Sequence, residues 1–208
     1  KRRIVTGRGH HLAGDIVKIS DINVPRWSVP ASTLTEAALV REVVTALRDW
    51  QRAAPPEFRG VLIGGMARAF YAPPRYTQDV DIAFADEGPT DPPEGFRKHR
   101  QGAFEHAKTG VEIEIVTPDA VGLPASLFRA VVDTAVVVDG VSIASLEGLI
   151  ALKLASAEGN PKRELRDHSD VLEMLEANPT FAEERMADWN LSHEQSRALA
   201  KLLAVARS

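Results

Sequence analysis

Apolar and polar positions alternate most strictly from Val111 to Pro118, where Val111, Ile113 and Ile115 fall on one face and Glu112 and Glu114 on the other. A period of two predicts a strand with one wet face. The run Asp79-Val80-Asp81-Ile82 has the same period, so two carboxylates leave one face while Val80 and Ile82 turn to a core. Upstream, Val61, Leu62 and Ile63 predict a short apolar strand that ends at Gly64-Gly65, followed by a short helix and a proline-bearing loop. Ala135 to Ala144 reads as a hairpin with Asp139-Gly140 as its turn. Near the N-terminus, GDIVKISDINVP alternates enough for one or two short strands.

Helical spacing appears elsewhere. From Ser32 to about Trp50, Thr33 and Glu36 form a capping box ahead of the stripe Leu39, Val43, Leu47 and Trp50. Gly95 to about Ala107 and Leu123 to Val132 are expected to be helical. Ser145 caps a helix running LIALKLASA, and after the break at Gly159-Asn160-Pro161 another carries the stripe Val171, Leu172 and Leu175. Segments from Phe181 to Trp189 and from Ser192 to Val205 complete a C-terminal helical bundle.

With 208 residues, 44% of them hydrophobic and 26% charged, the chain can bury a sizeable core in one domain, or in a core with a helical appendage. A net charge of −4 argues against coating nucleic acid through the overall field, although a local basic patch remains compatible with RNA. The absence of cysteine excludes disulfides, a thiol nucleophile and a cysteine zinc site, and a reducing cytoplasm is compatible with it. No apolar run is long enough to span a bilayer, and the N-terminus lacks the apolar core of a signal peptide. A cytoplasmic location and no membrane partner are therefore expected. The sequence opens at Lys1, so an initiator residue or a short leader is expected to precede it.

The chemistry concentrates between Gly60 and Phe84. Asp79 and Asp81, side by side, repel each other, and a divalent cation with a preference for hard oxygen ligands relieves that repulsion. Gly64 and Gly65 offer amides without a Cβ where a strand gives way to a helix, a place suited to phosphate. Glu114 is the candidate third acid, with Glu112 as the alternative and a wet strand face as the purely structural reading of both. Lys153 lies among apolar neighbours, which leaves two readings. Its ammonium meets a triphosphate or the metal-site carboxylates, or its stem lies on apolar surface and its charge reaches water. Arg163, Arg166, Asp167 and Asp170 fall at helical spacings and read structurally as surface ion pairs. The basic N-terminal residues Lys1, Arg2, Arg3 and Arg8 are a solvated terminus or an RNA contact. Arg97, Lys98, His99 and Arg100 are a solvated helix face or a phosphate contact. His10 and His11, adjacent in a strand, would face opposite ways and make a poor metal pair. P-loop, zincin and serine hydrolase motifs do not occur.

The order of apolar strand, Gly64-Gly65, helix, then Arg75-x-Thr77-x-Asp79-x-Asp81 resembles the signature of the polymerase-beta-type nucleotidyltransferase superfamily. More narrowly, it is similar to the AbiEii-like and MenT-like nucleotidyltransferases, some of which are toxins of toxin–antitoxin pairs. The resemblance spans roughly Gly60 to Leu175. It implies an α/β (α+β) fold with a mixed sheet, flanking helices and a C-terminal helical bundle, divided as a core with an N-terminal extension over 1–144 and a helical region over 145–208. It further implies Mg²⁺ or Mn²⁺ on Asp79, Asp81 and Glu114, and an NTP substrate contacted through Gly64, Gly65, Arg75, Thr77 and Lys153. The run Arg163-x-x-Arg166-Asp167-x-x-Asp170 is similar to the family's basic-acid-x-x-acid motif, which adds Asp167 and Asp170 to the nucleotide site. Glutamate at 114, where the family usually has aspartate, is a departure that bears on metal geometry or rate. The acceptor implied is an RNA hydroxyl, such as a tRNA 3′ end, with Arg68, Arg75, Arg97, Lys98 and Arg100 as scattered basic groups in its favour; a cognate antitoxin is a possible partner. A protein or small-molecule acceptor, and a non-catalytic nucleotide- or partner-binding module, are the alternatives.

Overall fold

A computed structural model of the protein describes residues 32–73, 79–138 and 140–208, with side chains from 41 onward. The expected N-terminal strands, the Thr33/Glu36 capping box, and Arg75, Thr77 and Asp139 lie outside what is described. The described elements run in the order α1 (Ser32–Ala53), β1 (Val61–Ile63), α2 (Gly64–Arg68), β2 (Asp79–Ala83), β3 (Phe96–Arg100), β4 (Ala103–His106), β5 (Glu112–Val116), α3 (Pro118–Val121), α4 (Ala125–Asp133), β6 (Val136–Val138), β7 (Val141–Ile143), α5 (Leu146–Gly159), α6 (Glu164–Ala177) and α7 (His193–Ala206). The sheet has seven described strands in the order β3-β4-β5-β2-β1-β7-β6. It is mixed: β2 runs parallel to β5 and β1 parallel to β7, while the β1/β2, β3/β4, β4/β5 and β6/β7 pairs are antiparallel. The fold class is thus the α/β class with a mixed sheet, flanking helices and a C-terminal group of helices.

Alternation along the central strands gives the two sheet faces different fates. Phe104, Ile113 and Val80 lie side by side across β4, β5 and β2, and all three are buried. Trp50 of α1 covers that region, edge-on to Phe96 at 5.3 Å and stacked on Phe104 at 5.8 Å. The helix end is held by Trp50 Nε1 and Gln51 Nε2, which donate to the Arg59 carbonyl at 3.1 and 3.2 Å just before β1. Residues of the opposite parity, Glu105, Glu112, Glu114, Asp79 and Asp81, share the other face, where they are exposed or half-buried.

The α5 helix is apolar on almost every side, as a helix enclosed by the protein must be. Ser145 caps it, its hydroxyl accepting from the Gly148 amide at 3.1 Å. One continuous apolar core joins α1, the sheet, α5, α6 and α7. A capping box of Ser192 and Gln195 starts α7.

Two expectations are corrected. Gly95 to Ala107 is the β3/β4 hairpin and not a helix. Its charged run is an edge strand whose cations face glutamates on the neighbouring strands, and Gly102, at φ +73°, makes the turn. The segment from Phe181 to Trp189 forms a 3₁₀ helix over Glu183–Trp189 rather than an α-helix.

Candidate functional site

Asp81 lies opposite Ile63 on β1 and opposite Glu114 on β5, and Asp79 lies opposite Glu112. The carboxylates of Asp79, Asp81 and Glu114 each bring one oxygen within 4.8 Å of the others, a spacing that a single cation can bridge. Glu112 stands outside that group, with Arg100 and His99 at its carboxylate. Burial, then the neighbouring Asp79 and Glu114, push the Asp81 carboxyl up from 3.8 to about 6, while Lys153 and Arg163 pull it down. Like charges crowded in a half-buried place with only oxygen donors form a group that could hold a hard divalent cation, which would relieve their mutual repulsion.

Gly64 has a second reason to be glycine beyond exposing an amide. At φ +66°, a Cβ on it would stand 1.8 Å from Asp81 Oδ2 and 2.8 Å from its Cγ. The missing side chain is the space into which the Asp81 carboxylate fits. Gly65 follows it in α2, and the pair therefore adjoins the carboxylates as the spacing requires.

Beside this cluster lies a buried ionic network. Lys153 Nζ on α5 donates to Asp167 Oδ1 at 2.7 Å and lies 2.8 Å from Asp170 Oδ2. Arg68, 1% exposed at the end of α2, places Nε 3.3 Å from Asp170 Oδ1, donates to the Pro73 carbonyl at 2.8 Å, and pairs with Glu173. Burial pulls the Lys153 pKa down, and the hydrogen bond and charge of Asp167 act against it. Two bridges thus run to α6, one from α2 and one from α5, meeting at Asp170. Asp167 Oδ2 is buried without a hydrogen-bond partner among the described residues.

The surface pairs of Asp167 and Asp170 with Arg163 and Arg166 are not what forms. Both aspartates are buried and turn to Lys153 and Arg68, while Arg163, just before α6, and Arg166, on it, are exposed. The signal was present in the sequence: Asp167, Asp170, Val171 and Met174 fall at helical spacing, so the apolar stripe of α6 extends back through two acids. Arg68, expected among the scattered basic groups that favour RNA, is instead buried, at 1% exposure, and tied to α6. No local pattern announces that, because its acidic partners lie about a hundred residues later. Of the expected site residues, Asp79, Asp81, Glu114, Gly64 and Gly65 come together, with Lys153, Asp167 and Asp170 in the adjoining network.

No family model and no curated protein matches the chain. Among solved structures it is similar to an antigenic nucleotidyltransferase-like protein from Paracoccidioides brasiliensis, with 20% identity and a TM-score of 0.45 over 70% of this chain and 79% of that one. It is also similar to JHP933 from Helicobacter pylori, with 15% identity and a TM-score of 0.35 over 86% of this chain and 93% of that one. Likenesses at this level carry no function across, and the chemistry rests on the site's own atoms.

Proposed function

We propose that the chain is a metal-dependent nucleotidyltransferase that moves a nucleotide from an NTP to an acceptor hydroxyl, with RNA, such as a tRNA 3′ end, as the acceptor. The observation that carries this reading is the carboxylate trio on parallel β2 and β5, fitted against the Cβ-less Gly64. Asp79, Asp81 and Glu114 hold the divalent cation, which when bound neutralises triphosphate charge and favours in-line displacement at the α-phosphorus.

The chain's own groups supply the rest. Gly64 makes room for the Asp81 carboxylate, and Gly65, next to it in α2, leaves the backbone open to phosphate oxygens. An ammonium has three donors, two of which on Lys153 face Asp167 and Asp170, and the third is available to a phosphate oxygen. Asp167 and Asp170 act on the nucleotide through Lys153, by fixing where its charge sits. Glu114, half-exposed beside Asp81, accepts the proton of the arriving hydroxyl. The acceptor oxygen then bonds to the α-phosphorus, the bond to the β-phosphate's bridging oxygen breaks, and pyrophosphate leaves. RNA is favoured by the resemblance in the sequence, and by Arg97 and Arg100 on the sheet face that carries the acids.

The test is incubation of the purified chain with each labelled nucleoside triphosphate, Mg²⁺ and total cellular RNA, beside Asp79→Ala. Label entering a tRNA-sized band with the wild type alone is the expected result. No label in RNA and no released pyrophosphate, or full activity in Asp79→Ala, would overturn it.

A further inference from the structure

Arg97 and Arg100 are three apart on β3, a separation that in a regular strand sends side chains to opposite faces. Here the register shifts between Lys98 and Arg100, so that Arg97 lies opposite Glu105 and Arg100 opposite Ala103. The extra residue of the bulge returns Arg100 to the face of Arg97, the face that carries the acids. Across the sheet, Arg100, Ala103, Glu114 and Asp81 then form a single row. Ala103 is fully buried and small, so the arginine passes over it. Its Nη2 lies 2.5 Å from Glu112 Oε1 and 3.3 Å from Glu114 Oε2. Arg97, by contrast, pairs with Glu105, one strand short of the carboxylate trio.

We infer that Arg100 is a positioning residue of the cation site: its guanidinium holds Glu114 while no cation is bound and yields that carboxylate when one binds. This rests on the reading of Asp79, Asp81 and Glu114 as the cation ligands. The physical basis is competition for one anion. Glu114 cannot direct its full charge both to a guanidinium and to a divalent ion, and the two cations repel each other across it. Glu112 keeps the arginine in place after the exchange, so the guanidinium stays at the site's edge. Its side chain is 51% exposed, and the exchange therefore requires no buried group to move.

The experiment is Mn²⁺ titration of the full chain without nucleotide, followed by the paramagnetic signal of free Mn²⁺, for the wild type, Arg100→Gln, Arg100→Lys, Arg97→Gln and Asp81→Ala. Arg100→Gln and Arg97→Gln remove the same charge from the same strand, which separates the contact with Glu114 from the general field. The expected result is that Arg100→Gln tightens Mn²⁺ binding by about threefold to fivefold, the scale of one exposed ion pair. Arg97→Gln should change it less than about twofold, by the same reasoning, and Arg100→Lys should restore most of the wild-type affinity. Equal affinities in Arg100→Gln and Arg97→Gln, with binding still lost in Asp81→Ala, would overturn the role of Arg100 and leave the cation site standing. Failure of every variant and of the wild type to bind Mn²⁺ would overturn the cation site and the role of Arg100 with it.

Discussion

Replacing Gly64 with alanine places a methyl group where the Asp81 carboxylate now lies. The backbone at φ +66° is strained for any residue with a Cβ, and the new atom would stand 1.8 Å from Asp81 Oδ2 and 2.8 Å from Cγ. The left-handed conformation costs about 1–2 kcal/mol, and turning Asp81 off its rotamer adds about 0.5–1.5 kcal/mol. Restricting the unfolded chain returns less than about 1 kcal/mol, which leaves a loss of about 2 kcal/mol. For a chain of this size that corresponds to a fall in melting midpoint of roughly 4–8 °C. The larger effect is on the site, because the carboxylate that moves is the central member of the trio.

Gly60→Ala is the companion variant. At φ +62°, its Cβ would meet Ile82 Cγ2 at 2.4 Å and the Ala83 carbonyl oxygen at 2.9 Å, so it should destabilise at least as much. It lies at the other end of β1, however, away from the carboxylates. Thermal melting and Mn²⁺ titration on the folded proteins separate the two effects. Both variants should melt early, and only Gly64→Ala should lose Mn²⁺ binding. A Gly64→Ala protein with the wild-type midpoint and wild-type Mn²⁺ affinity would refute the packing argument. Equal loss of Mn²⁺ in both variants would show that stability alone was being read.

Further outcomes follow from the charges. Asp81, with its pKa raised from 3.8 to about 6, binds its proton more tightly folded than unfolded. Its contribution to stability is therefore greatest at acid pH and falls as pH rises between those values, by at most about 3 kcal/mol. Without divalent cations, the wild type minus Asp81→Asn difference in urea stability should follow that slope, and a flat difference would count against it. Lys153→Met leaves Asp167 and part of Asp170 buried without a counter-charge and should cost about 3 kcal/mol in urea unfolding; a variant as stable as the wild type would remove the network from the account. Because Lys153 and Arg68 share Asp170, their substitutions to methionine should be non-additive by about 0.5 kcal/mol or more in a double-mutant cycle, whereas strict additivity would mean that the two bridges are independent.

Much of this architecture was legible in local pattern. The strands around Val80 and Ile113, the Ser145 cap, the hairpin that pairs Val136 with Ile143 and the capped α7 are set by side-chain period and by hydrogen bonds within a few residues. The β3/β4 hairpin is not legible in the pattern because Phe96–Arg100 carries one apolar residue, three cations and a histidine, and charge has no period of its own. Its strand character depends on partners in β4 and β5. The burial of Arg68 was likewise illegible, since Asp170 and Glu173 lie far along the chain.

By itself the sequence determined that Asp79 and Asp81 leave one face of a strand, that Glu114 leaves one face of another, and that a glycine pair ends the strand before them. Those are consequences of a backbone that alternates side chains every residue and of glycine's freedom at positive φ. Only the tertiary structure set β2 beside β5 in the register that pairs Asp81 with Glu114, fitted the Asp81 carboxylate into the space left by Gly64, and gave Lys153 to Asp167 and Asp170. The physical reason is that register and ion pairing depend on groups from distant parts of the chain. Their energies arise only once packing has excluded water and brought those parts together.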